Sequence, residues 1–318
     1  MRTARLPAWS IMVTLLVTLF AGSAGAQKKK KKPPAPALPK LRFQRLTTAD
    51  GVHLRCALYE SPQAKTQGKQ IFPMVLVHGF GRGGASDFHY LAQGLQSLGF
   101  SVFVPDLRGH GKSLVRTLAN GAQVEISRQR MKPKDKASMM LDLQAVKGFL
   151  MAENNAGRLN IEKLCVVGAG EGAILALHWA AYDWSQKDLP AFEVGKDIRG
   201  LILLSPPKTF ARFNAQVALQ QPFVLRRMPI LIAVGQGDSA ATKDAESLYK
   251  RIDGRRKAQA GNAPTGVFVS TANTELQGTD LLNPRLKLPI TKGIVDFMKR
   301  MRSQSDRFPT WDEKRPFQ

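Results

Sequence analysis

Short apolar runs alternate along the chain with segments whose apolar residues recur every three or four positions. The first kind of segment is typical of strands and the second of helices. Strands are predicted at residues 41–48, 52–60, 74–79, 101–106, 163–168, 200–206, 229–235 and 266–270. Helices are predicted at residues 87–99, 137–152, 171–182, 242–252 and 290–301. This alternation predicts an α/β fold in which an eight-stranded, mostly parallel sheet carries helices on both faces.

The connections between these elements add detail to the predicted fold. Asp50 and Gly51 separate the first two strands, and this dipeptide favours a tight turn. Residues 112–136 form a long basic excursion, which is where functional loops tend to lie. Only residues 208–228 separate two later strands, so there is no room for a large lid domain.

The N-terminus has the composition of an export signal. Two arginines precede an apolar run, and small residues at 24–26 supply a cleavage site, which predicts a signal peptide at 1–26. Residues 27–40 are rich in lysine and proline and predict a flexible tether. The globular domain is then expected at 41–303, followed by a tail at 304–318. We therefore expect an exported protein, which is periplasmic, secreted or attached to the cell envelope; an uncleaved membrane anchor at 9–22 is the alternative.

The chain carries a formal net charge of +23, and part of it is concentrated in five consecutive lysines. A field of this sign attracts anionic envelope polymers or lipid headgroups. These partners would bind through Lys28, Lys29, Lys30, Lys31 and Lys32. Solubility alone is the competing explanation for the charge, and no specific nucleic-acid motif accompanies it. The two cysteines, Cys56 and Cys165, fall in strand-like runs and are expected to be small buried thiols.

Three motifs occur in a defined order. The first is VLVHGF at 75–80, the second is DLRGHGKS at 106–113, and the third is CVVGAGEG at 165–172. Together they resemble the α/β-hydrolase family, in particular its serine-aminopeptidase and lysophospholipase-like branch. The resemblance implies an oxyanion-hole turn in the first motif and a strand-to-helix nucleophile elbow in the third. It also implies acyl transfer through a serine, with an ester or amide as the substrate.

The chain departs from this pattern at two of the three catalytic positions. Gly170 stands where the family has its serine, and glycine has no side chain. No histidine lies beyond His178, and Gln277 stands at the expected position of the catalytic base, with Asn273 as the alternative. Asp238 occupies the place of the third member, although a helix cap would explain it equally well. We therefore expect the usual hydrolysis to be absent.

The remaining hypotheses concern what the pocket does instead. The backbone N–H groups of Phe80 and Glu171 are expected to form an oxyanion-hole-like site for a small anionic or acyl ligand. The other pocket candidates are His78, Gly79, His110 and Arg108. The main hypothesis is a non-catalytic, ligand-binding or envelope-associated protein. One alternative is a hydrolase with chemistry relocated to Glu171, His78 or His110, and another is a polyanion-binding tether; we expect no metal and no cofactor.

Overall fold

The computed structural model describes residues 37–81, 83–187, 195–260 and 264–314. The predicted signal peptide and the lysine run lie outside the described residues. The strands are β1 Arg42–Thr47, β2 Val52–Tyr59, β3 Pro73–Val77, β4 Ser101–Pro105, β5 Val115–Thr117, β6 Gln123–Glu125, β7 Leu164–Ala169, β8 Ile198–Leu204, β9 Thr209–Phe210, β10 Phe213–Asn214, β11 Ile230–Gly235 and β12 Val267–Ala272. The helices are α1 Ala64–Gln67, α2 His89–Ser97, α3 Pro133–Ala137, α4 Met139–Asn155, α5 Glu171–Ser185, α6 Ala215–Ala218, α7 Pro222–Arg226, α8 Ser239–Ala260 and α9 Pro289–Ser303.

The main sheet has the order β12-β11-β8-β7-β3-β4-β2-β5-β6, with β1 paired to β2. The six neighbouring strands β12, β11, β8, β7, β3 and β4 pair in parallel. The pairings of β2 with β4, β1 and β5, and of β5 with β6, are antiparallel. All eight predicted strands and the predicted α/β fold class are confirmed, but the main sheet has ten strands in the described part of the chain, not eight. The short β5–β6 hairpin extends the sheet within the segment that the sequence indicates as a loop. Its strands have three residues each, too few to give a periodic pattern.

Alternate residues of the parallel strands enter two separate hydrophobic layers. Met74 and Leu76 of β3 pack on the side of α2 and α9. Val75 and Val77 pack on the opposite side, against α4, α5 and α8. Because both faces of the sheet are covered, its central strands are apolar throughout, as in other parallel sheets. Only short elements, α6 and α7 with the β9–β10 hairpin, fill the space between β8 and β11.

The C-terminal residues pack against the domain as far as Lys314. The Trp311 indole donates to the Asn154 carbonyl at 3.1 Å. The Lys314 ammonium, whose side chain is 5% exposed, forms ion pairs with Glu162 and Asp197. The described part of the predicted tail therefore packs on the folded domain. The domain continues past residue 303.

Two further observations concern the described helices and the two cysteines. None of the described helices combines the length and the apolar character that a membrane span requires. Cys56 and Cys165 are free, buried thiols, as the sequence predicts. Burial raises the pKa of each thiol to about 12, so neither is a reactive thiolate at neutral pH.

Candidate active-site cleft

The elbow between β7 and α5 keeps a strained backbone at the position of the missing serine. Gly170 has φ 55° and ψ −125°, a conformation that side chains rarely adopt. Its N–H donates to the Leu204 carbonyl at 2.8 Å, which fixes the turn against β8. A Cβ added here would meet its nearest atom, the Gly79 Cα, at 4.0 Å. The turn therefore has room for a side chain but carries none.

The next glycine of the elbow is required for packing. A Cβ added to Gly172 would lie 2.3 Å from the Val77 carbonyl oxygen and 2.4 Å from that of His78. No side chain fits at such distances. The start of α5 can approach β3 this closely only because residue 172 is glycine.

The amide of Gln277 lies beside the elbow, where the resemblance implies a catalytic base. Its Oε1 accepts the Ser205 hydroxyl at 2.5 Å, and its Nε2 donates to the Gly235 carbonyl at 2.8 Å. A Cβ on the following Gly278 would lie 3.7 Å from the Gly170 nitrogen, so this turn borders the elbow. Asn273 is exposed and does not line the cleft. Of the two amides considered, Gln277 is thus the one beside Gly170, and an amide cannot accept a proton at neutral pH.

Asp238 also borders the cleft, and its hydrogen bonds are those of a helix cap. Its Oδ1 accepts the N–H groups of Ala240 and Ala241 at 2.9 and 3.0 Å. These are two of the orphan donors in the first turn of α8. Among the described residues that line the cleft there is no histidine for this carboxylate to orient.

The side chain of Glu171 changes the expected oxyanion hole. Glu171 is the first residue of α5, where a negative charge is favoured by the helix dipole. The Phe80 N–H donates to Glu171 Oε2 at 3.0 Å. The sequence predicts that this N–H is available to a ligand. In the structure it is instead bound to a carboxylate of the protein itself, so only the backbone N–H of Glu171 remains of the expected pair.

The cleft above the elbow has a volume of about 340 Å³. It is lined by Gly79, Gly81, Ala169, Gly170, Glu171, Ser205, Pro207, Asp238, Ala241, Gln277, Gly278 and Thr279. Both ionisable side chains in this lining, Glu171 and Asp238, are acids. The cleft is therefore rich in hydrogen-bond acceptors although the chain as a whole is basic.

His78 is buried behind the cleft and does not line it. The Leu107 N–H donates to its Nε2 at 3.0 Å, so Nδ1 carries the proton and donates to the Gly79 carbonyl at 2.7 Å. Burial, and next the neighbouring His110, lower the pKa of His78 to about 4. The ring is therefore neutral near pH 7 and has both nitrogens engaged, which leaves none for chemistry.

His110 and Arg108 do not line the cleft either, contrary to their selection as pocket candidates. The His110 nitrogens contact the carbonyls of Arg108 and Phe80 at 3.0 and 2.9 Å. The Arg108 guanidinium is paired with Asp50 and Asp142, each at 2.7 Å. His78, His110 and Arg108 therefore all hold loops in place by internal hydrogen bonds. Sequence spacing puts them in the right loops but cannot tell that their side chains point inward.

Across the described ranges, no group of three or more histidine, cysteine or acidic side chains is arranged to hold a metal ion. The elbow, the Gln277 turn, Asp238 and the first motif are nevertheless brought together around one cleft, in the arrangement that the resemblance implies.

Comparison with known proteins agrees with this geometry. Residues 74–313 match the model of the alpha/beta hydrolase family. No curated protein matches the chain. Among solved structures, an esterase from Pyrococcus furiosus is similar, with a TM-score of 0.53 and 17% identity over 83% of this chain and 91% of the esterase.

Two further esterases are similar at the level of the fold. One is esterase 2 of Thermogutta terrifontis, phosphoramylated by tabun, with a TM-score of 0.55 and 14% identity over 84% of this chain and 96% of the esterase. The other is a thermostable carboxyl esterase of Bacillus coagulans, with a TM-score of 0.54 and 11% identity over 83% of this chain and 99% of that one. With the sheet order, the elbow and the family match in agreement, this chain belongs to the alpha/beta hydrolase family.

Proposed function

We propose that this protein is a non-hydrolytic member of its family that uses the cleft for binding and not for acyl transfer. The observation that carries the proposal is Gly170, which holds the nucleophile's backbone conformation without a nucleophile. The family's mechanism needs a hydroxyl at this point to attack the substrate carbonyl. Without it no acyl-enzyme can form.

Two further features of the cleft support the proposal independently. The Gln277 amide, with both ends hydrogen-bonded, cannot take up the proton that a nucleophile must lose. The Glu171 carboxylate occupies the Phe80 N–H, which an active enzyme would offer to the developing oxyanion. Catalytic groups of this kind act as a unit, so losing several is not repaired by the one that remains.

The alternative is a hydrolase in which Glu171 activates water. Its Oε2 is already bound to Phe80, and this same bond removes the donor that would stabilise the tetrahedral intermediate. A base that blocks its own oxyanion hole is a poor catalyst. We therefore favour binding, and the Glu171→Gln variant tests the alternative directly.

The experiment is hydrolysis of p-nitrophenyl butyrate by the wild-type protein, Gly170→Ser and Glu171→Gln. We expect all three to match the rate without protein, because Gly170→Ser supplies a hydroxyl but no base. Wild-type turnover that Glu171→Gln abolishes would establish the alternative. Robust hydrolysis by Gly170→Ser alone would mean that another group serves as the base.

A small ligand is the proposed occupant of the cleft. The volume of about 340 Å³ lies within the range of small-molecule sites. The lining carboxylates disfavour an anion, so a neutral ligand, such as an intact acyl compound, fits better than a free acid. Equilibrium dialysis with matched amide and carboxylate compounds tests this preference, and tighter binding of the carboxylate would contradict it.

We also propose that the protein is exported and associated with the cell envelope, on the sequence of residues 1–32 alone. Mass spectrometry of the protein from envelope fractions is expected to find a mature N-terminus at Gln27. An N-terminus at Met1 or Arg2 would contradict cleavage. Deletion of residues 27–40 is expected to reduce salt-sensitive retention on heparin, and unchanged retention would place polyanion binding on the folded domain.

A further inference from the structure

A second cavity lies apart from the cleft, between the first two strands, the start of α2 and the loop after β4. Its volume is about 480 Å³, which is within the range of small-molecule sites. Arg55 and Lys112 line it together with Phe43, Tyr59, His89 and Asp106. We call it the basic cavity.

The two cations of the basic cavity have no acidic partner. Neither Arg55 nor Lys112 forms an ion pair with any residue in the described part of the chain. The Arg55 guanidinium lies 3.5 Å from the centre of the Phe43 ring, a cation–π contact that fixes its position. A guanidinium that lines a cavity and has no ion-pair partner among the described residues can pair with an anionic ligand.

The acid in the lining, Asp106, is satisfied by the backbone. Its Oδ1 accepts the Ala85 N–H at 2.8 Å, and its Oδ2 accepts the Lys112 N–H at 3.1 Å. A Cβ on Gly111 would lie only 2.2 Å from the Asp106 carboxyl carbon, so the loop is wrapped tightly around this group. Asp106 thus holds the loop together and makes no ion pair with Arg55 or Lys112.

Tyr59 and His89 add a hydrogen-bond donor to the basic cavity. The Tyr59 hydroxyl lies 2.9 Å from His89 Nδ1. Burial raises the pKa of Tyr59, so the phenol keeps its proton at neutral pH. When that proton is donated to Nδ1, the His89 ring carries its own proton on Nε2. No described residue accepts a hydrogen bond from this Nε2, which leaves it available to a ligand.

The rim of the basic cavity is apolar. Leu41 and Phe43 line it and are 36% and 53% exposed, respectively. Exposed apolar side chains beside unpaired cations suit a molecule that has an anionic head and a hydrophobic body. An amphiphile with a cationic head would instead be repelled by Arg55 and Lys112.

We propose that the basic cavity binds a small amphiphilic anion, namely a carboxylate or phosphate monoester joined to an apolar chain. Arg55 and Lys112 pair with the head, His89 donates to it, and the chain lies along Leu41 and Phe43. This site does not depend on the cleft around Gly170, so it stands or fails independently of the proposed function.

Calorimetric titration of the full chain tests the proposal with four probes: octanoate, octyl phosphate, octanol and acetate. We expect saturable binding of one or both amphiphilic anions, at least tenfold tighter than that of octanol or acetate. Octanoate and octyl phosphate distinguish a carboxylate from a phosphate ligand. Equal binding of octanol would show that the head contributes nothing and would overturn the proposal.

Three variants locate the interaction. Arg55→Gln and Lys112→Gln are each expected to weaken binding about tenfold, whereas Arg55→Lys retains part of it because the charge remains. Lys243→Gln removes an exposed charge on α8 and is the matched control, expected to bind like wild type. Equal weakening by Lys243→Gln would indicate non-specific attraction to a basic surface and would contradict the proposal.

Amide chemical shifts provide a readout that does not depend on the variants. Adding the tighter-binding probe is expected to shift the resonances of Ser86, His89 and Lys112 and to leave those of Gly170 and Gly172 unchanged. Shifts confined to the glycines would place the anion in the cleft and contradict the assignment.

Discussion

The cleft and the basic cavity differ in what they offer a ligand. In the cleft the ionisable side chains are Glu171 and Asp238, both bound to backbone N–H groups by one oxygen. In the basic cavity the Asp106 carboxylate accepts two backbone N–H groups, and Arg55 and Lys112 form no ion pair within the described ranges. Both regions thus contain a carboxylate held by backbone N–H groups. In the cleft, this contact occupies the Phe80 N–H. In the basic cavity, it holds Asp106 away from ion pairing with Arg55 and Lys112.

The two regions have no lining residue in common, so the chemistry of one does not decide what the other can bind. The family places its chemistry at the elbow, and here the elbow keeps its geometry while the reacting atoms are missing. Neither Gly170 nor Gln277 lines the basic cavity. If the proposed loss of hydrolysis is correct, ligand binding in the basic cavity does not depend on it, because fold and function are separate properties.

The largest expected effect tests whether the cleft keeps the skeleton of an active elbow. Gly172→Ser should lower the free energy of unfolding by more than about 4 kcal/mol, because its Cβ would overlap the backbone of β3. Gly170→Ser should cost only about 1–2 kcal/mol, the strain of a positive φ in open space. Urea denaturation measures both. Similar losses in the two variants would contradict the packing described for the elbow.

The next effect tests the role of Glu171 in closing the oxyanion hole. Gly170→Ser/Gln277→His is expected to gain slight esterase activity, since it restores a nucleophile and a base. Adding Glu171→Ala should raise kcat about 10²- to 10³-fold, because it frees the Phe80 N–H, and one such donor has about this worth. The measurement is hydrolysis of p-nitrophenyl butyrate. If the triple variant is no faster than the double variant, the Glu171 carboxylate does not block the hole.

A third prediction concerns His78, which joins the two regions by bonds to Gly79 and Leu107. Because its pKa is about 4 in the folded protein and about 6.5 unfolded, the unfolded state binds the proton first as pH falls. Its contribution to stability is complete above pH 6.5 and is lost between pH 6.5 and 4, by about 3 kcal/mol.

His78→Gln provides the comparison, because its side chain does not titrate. The difference in the free energy of unfolding between wild type and His78→Gln should shrink over this pH range. A difference that stays constant from pH 7 to 4 would show that His78 does not stay neutral in the fold.

The smallest effect concerns whether Asp238 is a cap or a catalytic remnant. Asp238→Ala should lower the free energy of unfolding by about 1 kcal/mol, whereas Asp238→Asn should be nearly neutral because asparagine caps helices equally well. Thermal denaturation distinguishes the two variants. A large loss with Asp238→Asn would mean that the charge itself matters in the cleft.

The fold could be predicted from the sequence because its strongest signals are local. The apolar run at 74–79 and the Asp50–Gly51 turn need no knowledge of distant residues. The hairpin of β5 and β6 was not predictable, since three-residue strands carry no period. The packing of Lys314 between Glu162 and Asp197 was not predictable either, because it joins residues over 100 positions apart.

For the candidate site, the sequence predicts which residue types stand at the key positions better than it predicts the contacts of their side chains. The resemblance to the family implies that Gly170 stands at the elbow and Gln277 at the position of the base. Spacing does not show where a side chain points. For this reason the carboxylate of Glu171 on Phe80 and the inward rings of His78 and His110 emerge only from the structure. The basic cavity has no motif at all, because Arg55 and Lys112 come from unrelated segments.

Intact-mass spectrometry after incubation with a fluorophosphonate tests directly whether the cleft lacks a nucleophile. An active serine hydrolase forms a covalent adduct at its nucleophile. We expect the mass of the wild-type protein to stay unchanged under conditions that label an active esterase completely. A stoichiometric adduct on any residue lining the cleft would contradict it.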